Sequence, residues 1–115
     1  MKPKDVIDMD EEFIMVLTTI DSEEKAKKIS ENIVEQDLAA CVQVYGPIKS
    51  TYKWEGEMTS SEEWMCFIKT KKDVYDVLED KIRQIHDYEN PEIVALPITD
   101  GSGKYLDWLD ENIQN

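Results

Sequence analysis

Residues 38–55 read LAACVQVYGPIKSTYKWE and decide the fold. Apolar and polar residues alternate on both sides of Gly46-Pro47, which is typical of a half-buried β-strand. A proline has no N–H to give to a strand ladder, so Pro47 predicts that this strand lies at the edge of a sheet and is bent. Glu55-Gly56-Glu57 then predicts a hairpin turn.

The segments on either side of this strand predict a regular order of elements. The apolar run Phe13–Leu17 predicts a strand near the sheet centre. Asp21-Ser22-Glu23-Glu24 has the residues of a helix N-terminus, and apolar residues at helical spacing carry that helix to about Asp37. After the turn, Trp64–Thr70 predicts a further strand.

The second half of the chain repeats this order. A helix is predicted to open at Asp73 and to end before Pro91, with residues 86–90 as its exit loop. Glu92–Ile98 predicts an edge strand because it contains Pro97, and a short helix follows over Tyr105–Ile113. Strand, helix, strand, strand, helix, strand predicts an α+β protein with a four-stranded antiparallel ferredoxin-like (βαββαβ) sheet, in which the first and third strands are central.

Composition restricts the class of protein. A chain of 115 residues is one domain, which we assign to residues 13–115 after an acidic tail of residues 1–12. The net charge of −13 argues against nucleic-acid binding. There is no run of about 18 apolar residues for a membrane helix and no secretory signal, so we expect a cytoplasmic protein. Cys41 and Cys66 form no disulfide framework and are expected to be buried, reduced thiols.

The predicted helices cover one face of the sheet, yet large side chains lie on both faces. Tyr52, Trp54, Trp64, Met65 and Phe67 cannot all pack under two helices. An uncovered apolar face and a long edge strand indicate self-association.

Five segments, in order, resemble the CutA family of divalent-cation tolerance proteins. They are Leu38-Ala39-Ala40-Cys41-Val42, Tyr52-Lys53-Trp54-Glu55-Gly56, Ile68-Lys69-Thr70, Tyr88-Glu89-Asn90-Pro91-Glu92-Ile93 with Leu96-Pro97, and Tyr105-Leu106-Asp107-Trp108-Leu109. The resemblance runs from Phe13 to Ile113. It implies a homotrimer of the architecture shared with PII signalling proteins, although shared architecture does not carry a shared function.

The resemblance also implies a link to copper(II) or another divalent cation, held weakly. Some bacterial relatives have a cysteine late in the first strand and two adjacent histidines before the Tyr-x-x-Pro-Glu segment. Here those positions hold Thr18, Ile85 and His86, so only one of the three ligands is kept. The predicted metal residues are therefore His86, Asp87 and Glu89. The alternative interpretation of His86 is a surface cation at the C-terminal end of a helix.

A second set of residues mixes aromatic and charged groups within the matching segments. It comprises Cys41, Tyr52, Trp54, Lys69, Tyr88, Glu92, Tyr105 and Trp108. One interpretation is core and subunit interface; the other is a cleft between subunits in which Lys69 and Glu92 fix a small polar ligand. Cys41 is expected to be a packed thiol and not a nucleophile, because no base is near it in sequence.

Three functions stay open at this point. The first is a divalent-cation tolerance protein, the second a PII-like module that senses a small molecule in its clefts, and the third a trimeric scaffold for a protein partner. Phosphate loops, zinc-ligand quartets and hydrolase elbows are absent from the sequence, so we predict that the protein is not an enzyme.

Overall fold

A computed structural model of the chain describes residues 12–114. Its elements, in order, are β1 (Phe13–Ile20), α1 (Glu23–Glu35), β2 (Cys41–Trp54), β3 (Glu57–Lys71), a 3-10 turn (Lys72–Val74), α2 (Tyr75–Ile85), β4 (Val94–Pro97) and α3 (Gly103–Glu111). The predicted acidic tail lies outside the described residues apart from Glu12, so the division at residue 12 stays a prediction.

The four strands form one antiparallel sheet in the order β2-β3-β1-β4. The predicted α+β sheet is confirmed, with β1 and β3 in the centre. Pro47 lies on β2 and Pro97 on β4, and both are edge strands, as a residue without an N–H donor requires.

Several boundaries differ from the prediction, among them the following three. β3 begins at Glu57 and not at Trp64, because the polar residues 57–63 pair with β2 without contributing apolar alternation. β4 is shorter than predicted and covers only Val94–Pro97. The second helix begins at Tyr75, since the residues around Asp73 form the 3-10 turn that precedes it.

The main core lies between the sheet and helices α1 and α2. Ser22 begins α1 by accepting a hydrogen bond from the backbone N–H of Lys25 at 3.2 Å. The buried residues of this core are Ile14, Val16, Ile20, Ala26, Ile29, Ile33, Leu38, Ala39, Cys66, Ile68, Leu78 and Ile82. The apolar spacing of both helices in the sequence is therefore their inward face.

The opposite face of the sheet, which we call the open face, is only partly covered. α3 packs over one end of it, where Val74, Leu109 and Ile113 form a second small core with Phe13. The prediction that helices cover a single face is wrong in this respect. Beyond α3 the open face keeps exposed apolar side chains, among them Val94 and Leu96 of β4.

A two-stranded arm projects from the sheet. The pairing of β1 with β3 ends at Ile20 and Trp64, whereas β2 and β3 stay paired from Ile48–Glu63 to Trp54–Glu57. We call residues 48–63 the arm. The predicted turn at its tip is confirmed: Glu55 (φ 52°) and Gly56 (φ 83°) both take left-handed conformations, as a tight hairpin turn requires.

At the base of the arm, β2 shifts register between Tyr45 and Ile48. The indole ring of Trp64 lies against Gly46 so closely that an added Cβ would stand 2.3 Å from Trp64 Cδ1. Only glycine fits there, which explains why the strand is interrupted by Gly46 in the middle of an otherwise alternating pattern.

Candidate functional site

Part of the predicted cleft set comes together on the open face. The Lys69 ammonium lies 3.3 Å from the Tyr105 hydroxyl and 5.3 Å from the centre of its ring. The Tyr105 ring stacks on Trp108, with 5.7 Å between ring centroids. Cys41 pairs directly with Lys69 across the two strands. These four residues, the Lys69 cluster, join β2, β3 and α3.

The Lys69 cluster offers chemistry for binding. An ammonium over an aromatic ring, with a stacked indole beside it, can hold a small polar or anionic group. Cys41 was predicted to be buried, but it is only half-buried because it begins the edge strand β2. Cys66 is fully buried under α1, and burial raises the pKa of its thiol.

The other members of the predicted cleft set lie elsewhere in this chain. Tyr52 and Trp54 are exposed on the arm, where the Tyr52 hydroxyl bonds to Ser61 Oγ at 3.2 Å. Glu92 is exposed in the segment that leads to β4. The structure therefore does not bring these three residues to Lys69 within one subunit.

Tyr88 belongs to a hydrogen-bonded network that the sequence did not predict. Its hydroxyl donates to Glu63 Oε2 at 2.7 Å, and Glu63 is only 7% exposed. Burial, and next the bond to Glu63, raise the pKa of Tyr88. A single acid in a polar strand segment gives no sign of being buried, so Glu63 could not have been found from its neighbours in sequence.

His86 is the C-cap of α2, as the capping interpretation proposed, and its N–H bonds to the carbonyl of Ile82 at 2.8 Å. It is not on the surface, however. Its Nε2 lies 2.7 Å from the carbonyl oxygen of Thr19, and its Nδ1 accepts from the N–H of Tyr88 at 3.1 Å. Nε2 must therefore carry the hydrogen, and both ring nitrogens are engaged.

Asp87 takes part in a different arrangement on the surface. The ammonium of Lys25 lies 2.6 Å from Asp87 Oδ2 and 3.2 Å from Asp21 Oδ1. Hydrogen bonding to Lys25 lowers the pKa of Asp87, and the same contacts raise the pKa of Lys25. Two carboxylates from separate loops thus converge on one cation. Asp21 and Lys25 were missed because Lys25 and Asp87 are 62 residues apart in the chain.

The positions at which some relatives have metal ligands do not form a metal cluster in this chain. Thr18 is completely buried on the core side of β1, and Ile85 packs against the main core. Across residues 12–114, no group of three or more His, Cys, Asp or Glu side chains is arranged to hold a metal ion. Glu89 is exposed in the same loop as Asp87.

The fold and these sites define a small α+β protein of the kind built on a four-stranded antiparallel sheet, with an extra C-terminal helix. A family model described as "CutA1 divalent ion tolerance protein" matches residues 14–112. The chain belongs to this CutA1 family.

Individual relatives agree with the family. The divalent-cation tolerance protein CutA of Thermus thermophilus is 43% identical over 98 residues, which are 85% of this chain and 95% of that protein. The chloroplastic protein CutA of Arabidopsis thaliana is 41% identical over 102 residues, 89% of this chain, and these span only 56% of the plant protein.

Solved structures match at the level of the whole fold. The structure of the divalent cation tolerance protein from Thermus thermophilus superposes with a TM-score of 0.86 at 41% identity, covering 89% of this chain and 99% of that one. CutA1 of Oryza sativa superposes with a TM-score of 0.88 at 36% identity, covering 90% and 94%.

The compartment of the protein stays a prediction. Within residues 12–114, no helix is both long and apolar enough to cross a membrane. Relatives carry different locations in their names: the Arabidopsis protein is chloroplastic and the Archaeoglobus fulgidus protein is called periplasmic.

Proposed function

We propose that this protein acts in divalent-cation tolerance by binding a divalent cation weakly, at carboxylates of two loops, one before α1 and one after α2. Asp21, before α1, and Asp87, in the exit loop after α2, are the ligands, and the exposed Glu89 follows in the same loop as Asp87. The observation that supports the site is the Lys25 ammonium, which is held by both carboxylates. A pair of oxygens that converges on one positive charge suits a divalent ion, which would displace that ammonium.

His86 would serve this site indirectly. Both of its ring nitrogens are hydrogen-bonded, so it would fix the loop that carries Asp87 instead of donating to the metal. A carboxylate site that has to compete with an internal ammonium is weak and unselective. This property suits a protein that responds to high concentrations of several cations.

The test is a calorimetric titration of chelator-treated protein with copper(II) chloride and, separately, with manganese(II) chloride. We expect weak binding of both ions by the native protein, loss of it in Asp87→Asn, and tighter binding in Lys25→Met. The matched control is Lys27→Met, because Lys27 is an exposed lysine on the same helix and its loss changes the net charge equally.

Two outcomes would contradict this assignment. Equal effects of Lys25→Met and Lys27→Met would mean that only the overall charge matters. Copper(II) binding that is lost in His86→Ala but kept in Asp87→Asn would show that the imidazole of His86 is the ligand, as the sequence analysis predicted.

The Lys69 cluster favours a second candidate function, the sensing of a small polar ligand on the open face. The ammonium of Lys69 contacts the hydroxyl group and the ring of Tyr105. A thermal-shift screen of metabolites would test it, since a ligand of the native state raises the melting temperature. A ligand of this site must lose its effect in Lys69→Met and keep it in Lys53→Met, a lysine of the arm.

Both functions are proposed for a homotrimer. The exposed apolar side chains of the open face and the exposed Tyr52, Trp54 and Met58 of the arm support self-association. Sedimentation velocity at micromolar concentration is expected to give three times the monomer mass of 13.4 kDa. A stable monomer would contradict the trimer and leave the cation titration to be interpreted for a single subunit.

A further inference from the structure

Within residues 12–114, the arm is supported by the rest of the sheet only at its base. The last pair between β1 and β3 is Ile20–Trp64, so from Glu63 outward β3 has only β2 as a neighbour in this sheet. A two-stranded hairpin on its own is at best marginally stable in water. The direction and the order of the arm therefore depend on what ties its first residues to the body.

One such tie is made at the first residue of β3 beyond the three-stranded part. Glu63 pairs with Ile48 across the two strands of the arm. Its side chain is buried and accepts a hydrogen bond from the Tyr88 hydroxyl at 2.7 Å. A buried carboxylate without a donor is costly, so Glu63 cannot move away from Tyr88 without either losing this bond or reaching water.

Tyr88 is itself held in place from the other side. Its N–H donates to Nδ1 of His86, and the two rings meet edge to face with 4.6 Å between centroids. His86 Nε2 in turn bonds to the carbonyl of Thr19 on β1, and Thr19 pairs with Met65 of β3. These contacts connect β1, the exit loop after α2 and the base of the arm. The pairing of β1 with β3 links the two ends of this chain of contacts.

We propose that Glu63 and Tyr88 form a latch that fixes the arm to the body and presents it, already ordered, to a second copy of this chain. Tyr88 is a positioning residue in this scheme. The inference rests on the self-association proposed above only for the identity of the partner. A preorganised arm loses less conformational freedom when it binds, so the latch strengthens association without a contact of its own to the partner.

The experiment compares Tyr88→Phe with Tyr52→Phe. Each variant removes one tyrosine hydroxyl and its hydrogen bond, but the Tyr52 bond to Ser61 stays within the arm while the Tyr88 bond joins the body to the arm. Amide hydrogen exchange is measured by mass spectrometry for the arm and for α1. Subunit exchange is measured by mixing two batches labelled with different fluorophores.

We expect Tyr88→Phe to speed the hydrogen exchange of the arm by about tenfold or more, the range for losing a hydrogen bond to a charged group. The exchange of α1 should not change, and subunits should swap faster. Tyr52→Phe should keep the native hydrogen exchange of the arm, and its subunit exchange is left out of the comparison because Tyr52 is on the exposed surface that supports self-association. Glu63→Ala should reproduce Tyr88→Phe, and the double variant should be no looser than either single one.

The other outcomes overturn the latch. Unchanged arm exchange in Tyr88→Phe, or equal changes in Tyr52→Phe, would show that the bond does not hold the arm. A rise that is equal in α1 and in the arm would make Tyr88 a general stabilising residue. If the native protein is a monomer, the trimer fails but the exchange of the arm still tests the latch.

Discussion

The ammonium of Lys71, at the end of β3, lies 2.7 Å from Asp110 Oδ1 in α3, and the two side chains are 6% and 50% exposed. This pair fixes the C-terminal helix on the open face, next to the small core of Val74, Leu109 and Ile113. Asp110, first of all through its hydrogen bond, raises the pKa of Lys71 despite the opposing effect of burial. The docking of α3 is thus electrostatic as well as apolar.

Removing Asp110 should loosen α3. We expect Asp110→Ala to lower the free energy of unfolding by about 1–2 kcal/mol, because a buried ammonium loses a charged partner that is itself half in water. Urea unfolding at a fixed protein concentration measures it. Asp107→Ala is the control, since Asp107 is an exposed acid on the same helix. An equal loss in both variants would point to helix charge in general and not to the ion pair.

Thr18 and Thr70 are both completely buried but differ in their hydrogen bonds. Thr70 Oγ1 donates to the carbonyl of Leu38 at 2.7 Å, whereas Thr18 Oγ1 has no partner among the residues that the structure describes. Thr18→Val is expected to keep or raise the free energy of unfolding, by up to about 1 kcal/mol, and Thr70→Val to lower it by about 1–3 kcal/mol. The same urea experiment compares them. A loss in Thr18→Val as large as that in Thr70→Val would show that Thr18 has a partner, such as a buried water.

Gly46 tests the base of the arm in another way. In Gly46→Ala the new methyl group meets the Trp64 ring at 2.3 Å, so strand or ring has to shift. We expect a loss of about 1–3 kcal/mol in the free energy of unfolding, as for other overpacked positions. Gly103→Ala is the control, because an added Cβ there meets nothing within 4 Å among the described residues. A Gly46→Ala protein as stable as the control would mean that Trp64 has room to turn away.

Alkaline pH should weaken the native state through Tyr88. Its folded-state pKa is raised above the ordinary tyrosine value of 10.0, so the folded protein holds this proton more tightly than the unfolded chain does. The resulting stability is complete below about pH 10 and is lost as the pH rises further, by up to about 1.4 kcal/mol per pH unit. Urea unfolding between about pH 8 and 11, on either side of the ordinary tyrosine pKa, should show a smaller decline in Tyr88→Phe. The exposed Tyr45 provides the control variant Tyr45→Phe, which should decline like the native protein, and an unchanged decline in Tyr88→Phe would contradict the assignment.

The order of strands and helices was predictable from the sequence because it depends on local periodicity. Alternation in residues 38–55, helical spacing after Asp21 and Asp73, and the two strand prolines were enough to place β2 and β4 at the edges. The length of the arm was not predictable in the same way. Residues 57–63 pair with β2 through their backbone, and their side chains carry little apolar alternation.

The polar contacts were the least predictable part of the site. Tyr88 and Glu63 are 25 residues apart, and Lys25 and Asp87 are 62 apart, so neither pair leaves a pattern along the chain. For the same reason nothing in the sequence indicates the burial of His86 against Thr19; it indicates only the end of a helix and, through the resemblance, a metal residue. Each member of the Lys69 cluster could be singled out from the sequence. Only the fold shows that the four residues lie together.

The order of synthesis differs from the order of the strands in space. Of the described strands, β1 and β2 emerge first from the ribosome, yet they are not neighbours in the sheet. A nascent chain that ends at Trp54 therefore cannot yet form any of the strand pairs described above. The first pair available is the β2–β3 hairpin closed at Glu55-Gly56, and β1 cannot begin to pair until Trp64, the partner of Ile20, has been made. During that interval α1 is the described element that can shield β1.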